Sequence, residues 1–370
     1  MPDWTKPMSQ TFEYWIVDPA TWKDVKKLNC VKSSSISRDS ESETLGSASF
    51  TVTEKLGECY IRTYLVTVQN GITEKTVLGT HLIETPSSKF NGRVTDVTLD
   101  GYTPLIELKE DQPAIGYFVP KDGLAFDHAY RIVREHARAP VTKGNSTAKI
   151  TQDFIADTSD TWLSFVTDLI SNALVEETDA ANGARVTQYV LDLDEMGGVL
   201  FSPVQDVASM QPRWTFTTDN SSILHPDVTM DHDLYDIPNV VEVIYSSSIA
   251  NWRSCKTIDE LNPDSPVSIK KRGRRIVHRV INPSFPAHPS DQKQIDEYAT
   301  QLLKALSTLL CTVSYTHGYC PARVNDCVMI DYPQAGLNNV KAKIVSQNIK
   351  CVPGCPVTEK AIFAVKLWEG

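Results

Sequence analysis

The chain has 370 residues, 41% hydrophobic and 22% charged, with a formal net charge of −10 and a pI near 5.3. That length exceeds one ordinary core and suits two or three domains of a soluble globular protein. The acidic balance argues against general nucleic-acid binding, which draws its affinity from neutralised phosphates. No apolar run reaches the length of about 18 residues that a membrane-spanning helix needs. The opening Met1-Pro2-Asp3-Trp4-Thr5-Lys6 has no apolar leader core, which leads one to expect folding in the cytosol, with the eight cysteines as thiols unless a metal claims them.

Residues 1–11 show no periodicity and read as an amino-terminal arm. Strand-like text follows from Phe12 to about Glu110: Glu13–Val17, Cys30–Ser37, and Ser47–Thr53, whose alternation of small or polar with apolar residues suits a half-buried strand. An acidic, serine-rich loop, Arg38–Gly46, separates the last two. Tyr60–Val68, the turn Gln69-Asn70-Gly71, Val77–Glu84 and Arg93–Leu99 continue the pattern. Asn70-Gly71 tolerates the positive φ of a type I′ hairpin turn. The whole region reads as one antiparallel sheet that closes or nearly closes.

The texture changes after Glu110. A helix begins at Asp122 with Phe126, Ala129, Ile132, Val133 and Ala137 on one face, and Pro140 ends it. Ser159 or Asp160 caps a second, whose stripe is Trp162, Phe165, Val166, Leu169, Ile170, Ala173 and Leu174. Val186–Leu193 and Val199–Pro203 pair across Asp194-Glu195-Met196-Gly197-Gly198, and Arg213–Thr217 adds a strand. This α+β insert runs to about Pro238. Asn239–Tyr245 opens a second β-unit, followed by a polar excursion from Ser246 to Gly273 and a strand at Arg274–Ile281. A helix opens at Pro289-Ser290 and carries Ile295, Ala299, Leu302, Leu306 and Leu309 or Leu310 on one side. Thr312–His317, Asp326–Tyr332, Val340–Lys350 and Lys360–Trp368 finish the chain as strands. The last three, with a Pro333–Gly336 turn, repeat the order seen from Tyr60 to Leu99: strand, glycine turn, long strand, break, closing strand. A β-pattern repeated around an unrelated middle is the mark of a pseudo-symmetric scaffold.

Three groups of residues can carry chemistry. His225, Asp227, Asp231, His232 and Asp233, with Asp236 behind them, have the side chains of a zinc or harder-cation site and hence of a metal-dependent hydrolase. Their spacing matches no metalloenzyme signature, and Pro226 opposes a ligand-bearing helix, so a polar linker is the reading preferred. Cys351 and Cys355 flank a turn, and with Cys320 or Cys327 they form a candidate zinc or iron–sulphur knuckle. Thiols buried as small hydrophobes are the alternative, and the commoner case. The basic run Lys270-Lys271-Arg272-Gly273-Arg274-Arg275 fits a solvated or partner-facing loop, since no aromatic residues interleave with it. His128 and His136 on the first insert helix lack the spacing of a zinc-protease pair. There is no nucleophile elbow, P-loop or dinucleotide fingerprint.

The order of parts resembles the tail-hub and baseplate-hub family of tailed bacteriophages, including the amino-terminal part of tail-associated lysins. The resemblance rests on Asp236-Ile237-Pro238-Asn239-Val240-Val241-Glu242-Val243 and on Arg274–Val280 followed by the Ser290–Leu310 helix. Asn325–Ile330 and the closing hairpin Val340–Ile349 with Ile362–Trp368 complete it, over residues 12 to 370. It implies a β-rich α+β chain with two similar tube-like β-barrel domains, 12–110 and 239–370, the second carrying the long helix 290–310. An α+β insert domain at 111–238 lies between them. It further implies a homotrimer whose six barrels adapt the sixfold tail tube to a threefold tip. The implied partners are the distal tail or tail-tube ring, the tape-measure protein and a tip spike or fibre protein, with DNA only in transit through the lumen and no membrane insertion by this chain. The loops at 38–46 and 249–273 would reach adjacent rings or subunits. No catalytic residue, metal or cofactor is implied. Many members continue into a cell-wall hydrolase, and this chain stops at Trp368-Glu369-Gly370, so no such activity is expected. A cell-surface carbohydrate-binding module is a further alternative, permitted by β-rich text with seven tryptophans.

Overall fold

The computed structural model describes residues 2–90, 95–144, 148–150, 152–171, 175–179, 183–231, 234–246, 251–283, 289 and 291–369. Arg93, Ala173, Leu174, His232, Asp233, Ser290 and positions 247–250 of the polar excursion lie outside the described residues. The chain is β-rich α+β. It divides into two compact units, Met1–Asp227 with Tyr315–Lys360 and Val228–Ser314 with Ala361–Gly370. The expected domains follow chain order. These units interleave it, because residues from the carboxyl-terminal third hydrogen-bond into the amino-terminal sheet.

That sheet has 13 strands. One part runs, in spatial order, Val31–Asp39, Gly46–Val52, Thr95–Tyr102, Ile72–Phe90, Cys59–Gln69. Another runs Leu224–Asp231, Thr308–Gly318, Pro356–Lys366, Leu337–Lys350, Cys327–Tyr332. The order is the same in both: three consecutive strands form a meander, and its last strand returns beside the strand that precedes the meander. The two differ at the far edge. Ser9–Val17 lies antiparallel beside Cys59–Gln69, whereas Trp214–Phe216 lies parallel beside Cys327–Tyr332. Leu337–Lys350 joins the two sets. Its first half pairs with Cys327–Tyr332, and Ser346–Lys350 pairs with Ser35–Asp39.

Alternation explains which faces are inside. Ala48, Phe50 and Val52 point inward from Gly46–Val52 and meet Ile36, Ile61, Leu65 and Leu99. Ile349, Cys351, Cys355 and Val357, from the other end of the chain, complete the same core. Asn70 (φ 51°) and Gly71 (φ 78°) make the hairpin turn expected of them. Residues read as a free arm are held: Trp4 is buried edge-on against Tyr319 at 4.9 Å, and the Asp3 amide donates to Gln69.

A buried polar line crosses this core. Glu359 and His317 are fully enclosed. The Tyr315 hydroxyl donates to Glu359 Oε2 at 2.7 Å, Gln347 Nε2 donates to Glu359 Oε1, and His317 Nε2 lies 3.1 Å from the same oxygen. Arg38 reaches from the first strand set: Nη1 donates to Gln347 Oε1 at 3.0 Å and Nη2 to the Leu78 carbonyl at 2.6 Å. Leu78 is the extra residue of a bulge opposite Thr63 and Tyr64, so its carbonyl is released from the ladder. Burial lowers the pKa of His317, but the adjacent Glu359 carboxylate and the Cys320 sulfur together outweigh it, and the net shift is upward.

A second core, from Leu105 to Phe201, forms the insert. The helix Ala125–His136 buries Phe126, Ala129, Ile132 and Val133, and Trp162–Ser171 buries Trp162, Phe165, Val166, Leu169 and Ile170. The hairpin Tyr189–Leu193 with Val199–Pro203 closes it.

The second unit holds a three-stranded sheet ordered Asn251–Thr257, Val240–Ser246, Val277–Ile281. The helix Gln292–Leu306 covers one face, placing Ile295, Ala299 and Leu303 on Val241, Val243 and Tyr245. Asp291 caps it by accepting from the Gln294 amide. The helix stops short of the expected residue 310. Ser307 and Thr308 hydroxyls donate to the carbonyls of Leu303 and Lys304, and the chain leaves as the strand Thr308–Gly318. The polar excursion expected between Ser246 and Gly273 is in fact structured: Asn251–Thr257 is a strand, and Ile258–Leu261 and Ile269–Arg272 are short helices. Its isolated apolar residues explain this, since Trp252 stacks on Tyr245 at 5.9 Å and Ile258 and Val267 are fully buried.

The buried pair gives a prediction. His317 binds its proton more tightly in the folded state, so its contribution to stability is complete below the ordinary imidazole pKa of about 6.5 and is lost as pH rises through the raised value. Urea unfolding should show stability falling on the alkaline side of neutrality, with His317→Asn lacking that slope. Glu359→Gln, which leaves the imidazolium uncompensated, should lose about 3–5 kcal/mol at neutral pH. Wild-type stability that stays flat as pH rises would contradict the pairing.

Candidate functional site

The four cysteines singled out in the sequence do not share one site. Cys351 and Cys355 lie in the main core beside Cys30. Cys320 Sγ is 3.9 Å from His317 Nδ1, and Cys327 Sγ is 3.8 Å from the Val328 carbonyl. Among the described residues, no three His, Cys, Asp or Glu side chains gather in a group able to hold a metal ion. Burial pushes the Cys351 thiol up to about 11 and Cys355 further, where Cys351 adds to the effect. Such thiols stay protonated and pack as small apolar groups.

His225, Asp227 and Asp231 fall on one exposed strand, Leu224–Asp231, with the side chains in water. Pro226 is fixed by its carbonyl, which accepts from the Tyr332 hydroxyl at 3.1 Å. Asp236 is also exposed. The basic run splits in two. Arg272 turns inward and donates to the carbonyls of Ile237 and Leu234, and Arg275 lies 3.7 Å from Glu242. Lys270, Lys271 and Arg274 face solvent. His136 bonds Asp111 at 2.8 Å and stacks on Trp162, and His128 contacts Arg131, both structural contacts of the insert.

The sequence reading passed over His317 and Glu359. With Cys320 they line up as thiol, imidazole and carboxylate, the residue types of a cysteine nucleophile relay. All three are buried, and His317 Nδ1 is 2.6 Å from the Gly318 carbonyl, so the thiol has neither a free base nor an approach for substrate. A small cavity of about 60 Å³, of mixed polar and apolar lining, lies near Arg38, His81, Thr103, Asp192 and Arg323. Among the described residues His81 Nδ1 has no hydrogen-bond partner, and burial together with Arg38 holds the imidazole neutral, with its pKa down to about 3. The volume suits a few waters, which would satisfy that nitrogen.

What the chain does present is surface. On the insert, Phe118 and Ile155 are cross-strand partners that both face solvent, and Ile115 beside them is 95% exposed. On the second unit, the sheet face opposite the long helix carries Arg253, Arg275 and Arg279 around Glu242.

A thiol titration tests the reading of the cysteines. In the native protein Cys255, the one exposed thiol among the eight, should react with an aromatic disulfide reagent within minutes. Cys30, Cys311, Cys320, Cys327, Cys351 and Cys355 should react only on unfolding. Rapid native-state labelling of Cys351 or Cys355, or zinc released in proportion to thiols titrated, would overturn it.

No protein-family model matches the sequence, and no curated protein matches it. Solved structures do match the fold. A 43 kDa tail protein of prophage MuSo2 from Shewanella oneidensis superposes with a TM-score of 0.57 at 11% identity, over 97% of this chain and 99% of that one. A tail protein from Neisseria meningitidis MC58 gives 0.55 at 11% identity, over 95% and 96%. A chain of the Francisella PdpA–VgrG complex gives 0.53 at 9% identity, over 97% of this chain and 58% of that one. The chain therefore shares, along nearly its whole length, the fold of these proteins, two of them tail proteins, in line with the resemblance seen in its sequence.

Proposed function

We propose that this chain is a structural hub protein of a phage tail tip or baseplate, acting without catalysis. The observation that carries the reading is the repeated strand order: one polypeptide offers two walls of the same topology, so three copies can present six. The tail-protein fold, matched over 97% of the chain, supports it. In this reading the amino-terminal sheet region 12–110 and the carboxyl-terminal region 239–370 supply the two tube-like domains. The insert 111–238, with its own core, stands off the ring toward tip proteins.

Three subunits would close around a channel wide enough for a tape-measure protein and DNA in transit. Their ring would adapt a sixfold tail-tube ring on one side to a threefold spike or fibre on the other. Such a protein is assembled in the host cytoplasm and ends in the virion tail. Interfaces of this obligate kind bury roughly 2,000–5,000 Å². The hydrolase reading has less behind it: His225, Asp227 and Asp231 point into water from one strand, and among the described residues no metal-binding group forms.

Light scattering on purified protein tests the proposal. The expected mass is three times the 41.2 kDa of one chain, held on dilution. A single-chain mass at micromolar concentrations would contradict it.

A further inference from the structure

The three-stranded sheet of the second unit has an open edge. Val277–Ile281 pairs with Val240–Ile244 on one side, and among the described residues no strand pairs with its other side. An unpaired edge presents a row of backbone donors and acceptors to any extended chain. The register sets what that chain would meet. Val277, Arg279 and Ile281 lie opposite Val240, Glu242 and Ile244, on the face turned away from the long helix, and Val277 and Ile281 are 42% and 64% exposed.

Glu242 organises the charge on this face. Its carboxylate is almost fully covered, shielded by arginine side chains that reach over it. Arg279 bonds Oε2 through Nε at 2.8 Å and Nη2 at 2.7 Å. Arg253 and Arg275 stand farther off, at 3.6 and 3.7 Å, and all three guanidinium groups are more than half exposed. Three cations around one anion leave a local surplus of positive charge on a chain whose net charge is −10. Apolar side chains alternate with the central arginine at strand spacing. A duplex or single-stranded nucleic acid would have no use for that alternation, whereas a β-strand does.

We propose that the edge Val277–Ile281 is a docking site for an extended acidic–apolar strand of a partner protein, which adds to the sheet and sets a carboxylate against Arg279 between two apolar side chains. The inference goes beyond the hub reading and does not require a ring.

The test uses the full chain and a fluorescent peptide Thr-Val-Thr-Glu-Thr-Val-Thr, whose Val, Glu and Val side chains share one strand face, with the same peptide carrying Lys for Glu and a single-stranded oligonucleotide as comparators. Anisotropy should report binding of the acidic peptide alone, and hydrogen exchange should slow at Val277–Ile281. Arg279→Glu should weaken binding by roughly tenfold or more. Ile281→Asp, at a position too exposed to unsettle the fold, should do the same. The proposal is overturned by any of three results: no binding up to about 1 mM peptide, binding indifferent to both variants, or preference for the oligonucleotide. Protection of the same amides by self-association without peptide, lost in Ile281→Asp, would name a second copy as the occupant and equally overturn it.

Discussion

A carboxylate with no access to water must be satisfied by its neighbours, and Glu359 decides where several strands of this fold can lie. Tyr315 and His317 meet it from Thr308–Gly318, and Gln347 meets it from Leu337–Lys350. Gln347 in turn accepts from Arg38 of the amino-terminal sheet, and Arg38 accounts for a carbonyl that a bulge at Leu78 has released. The chain thus joins segments some 300 positions apart through one hydrogen-bonded line. Apolar packing alone would tolerate a shift of these strands. A line of buried donors and acceptors does not, since any slip strands a charge.

The same constraint separates scaffold from function. The residues with the chemistry of catalysis, Cys320, His317 and Glu359, are consumed inside the core, while the surface offers apolar pairs and arginines. In the hub reading proposed above, an acidic chain with such patches would assemble by contact with particular partners and repel much else. The repeated strand order then gives the surfaces their arrangement.

Local structure was legible in the sequence where a periodic signal had local causes. Trp162–Ser171 and Gln292–Leu306 show their apolar stripes, and Asn70-Gly71 announces its hairpin by the φ values it tolerates. The polar excursion was not legible, because Trp252, Ile258 and Val267 are too sparse to show a period and are ordered by tertiary contacts. Nor could alternation reveal that Ser346–Lys350 pairs with Ser35–Asp39, since the pattern tells which face is inside and not which strand is adjacent. Nearness in sequence is not nearness in space for the cysteines: five lie between 311 and 355, yet their surroundings differ. A signal for Glu359 did exist. Val357, Glu359, Ala361 and Phe363 share one phase of their strand, as Val313, Tyr315 and His317 do of theirs, which places a carboxylate and an imidazole indoors.

In the proposed assembly, two like-ordered strand sets in each chain let three copies imitate a sixfold ring. Class averages of the isolated oligomer by electron microscopy address it directly. They should show a closed ring of six similar lobes around an open centre, with threefold symmetry in the features outside the ring. A ring of three unlike lobes without a channel, or an open filament, would contradict it.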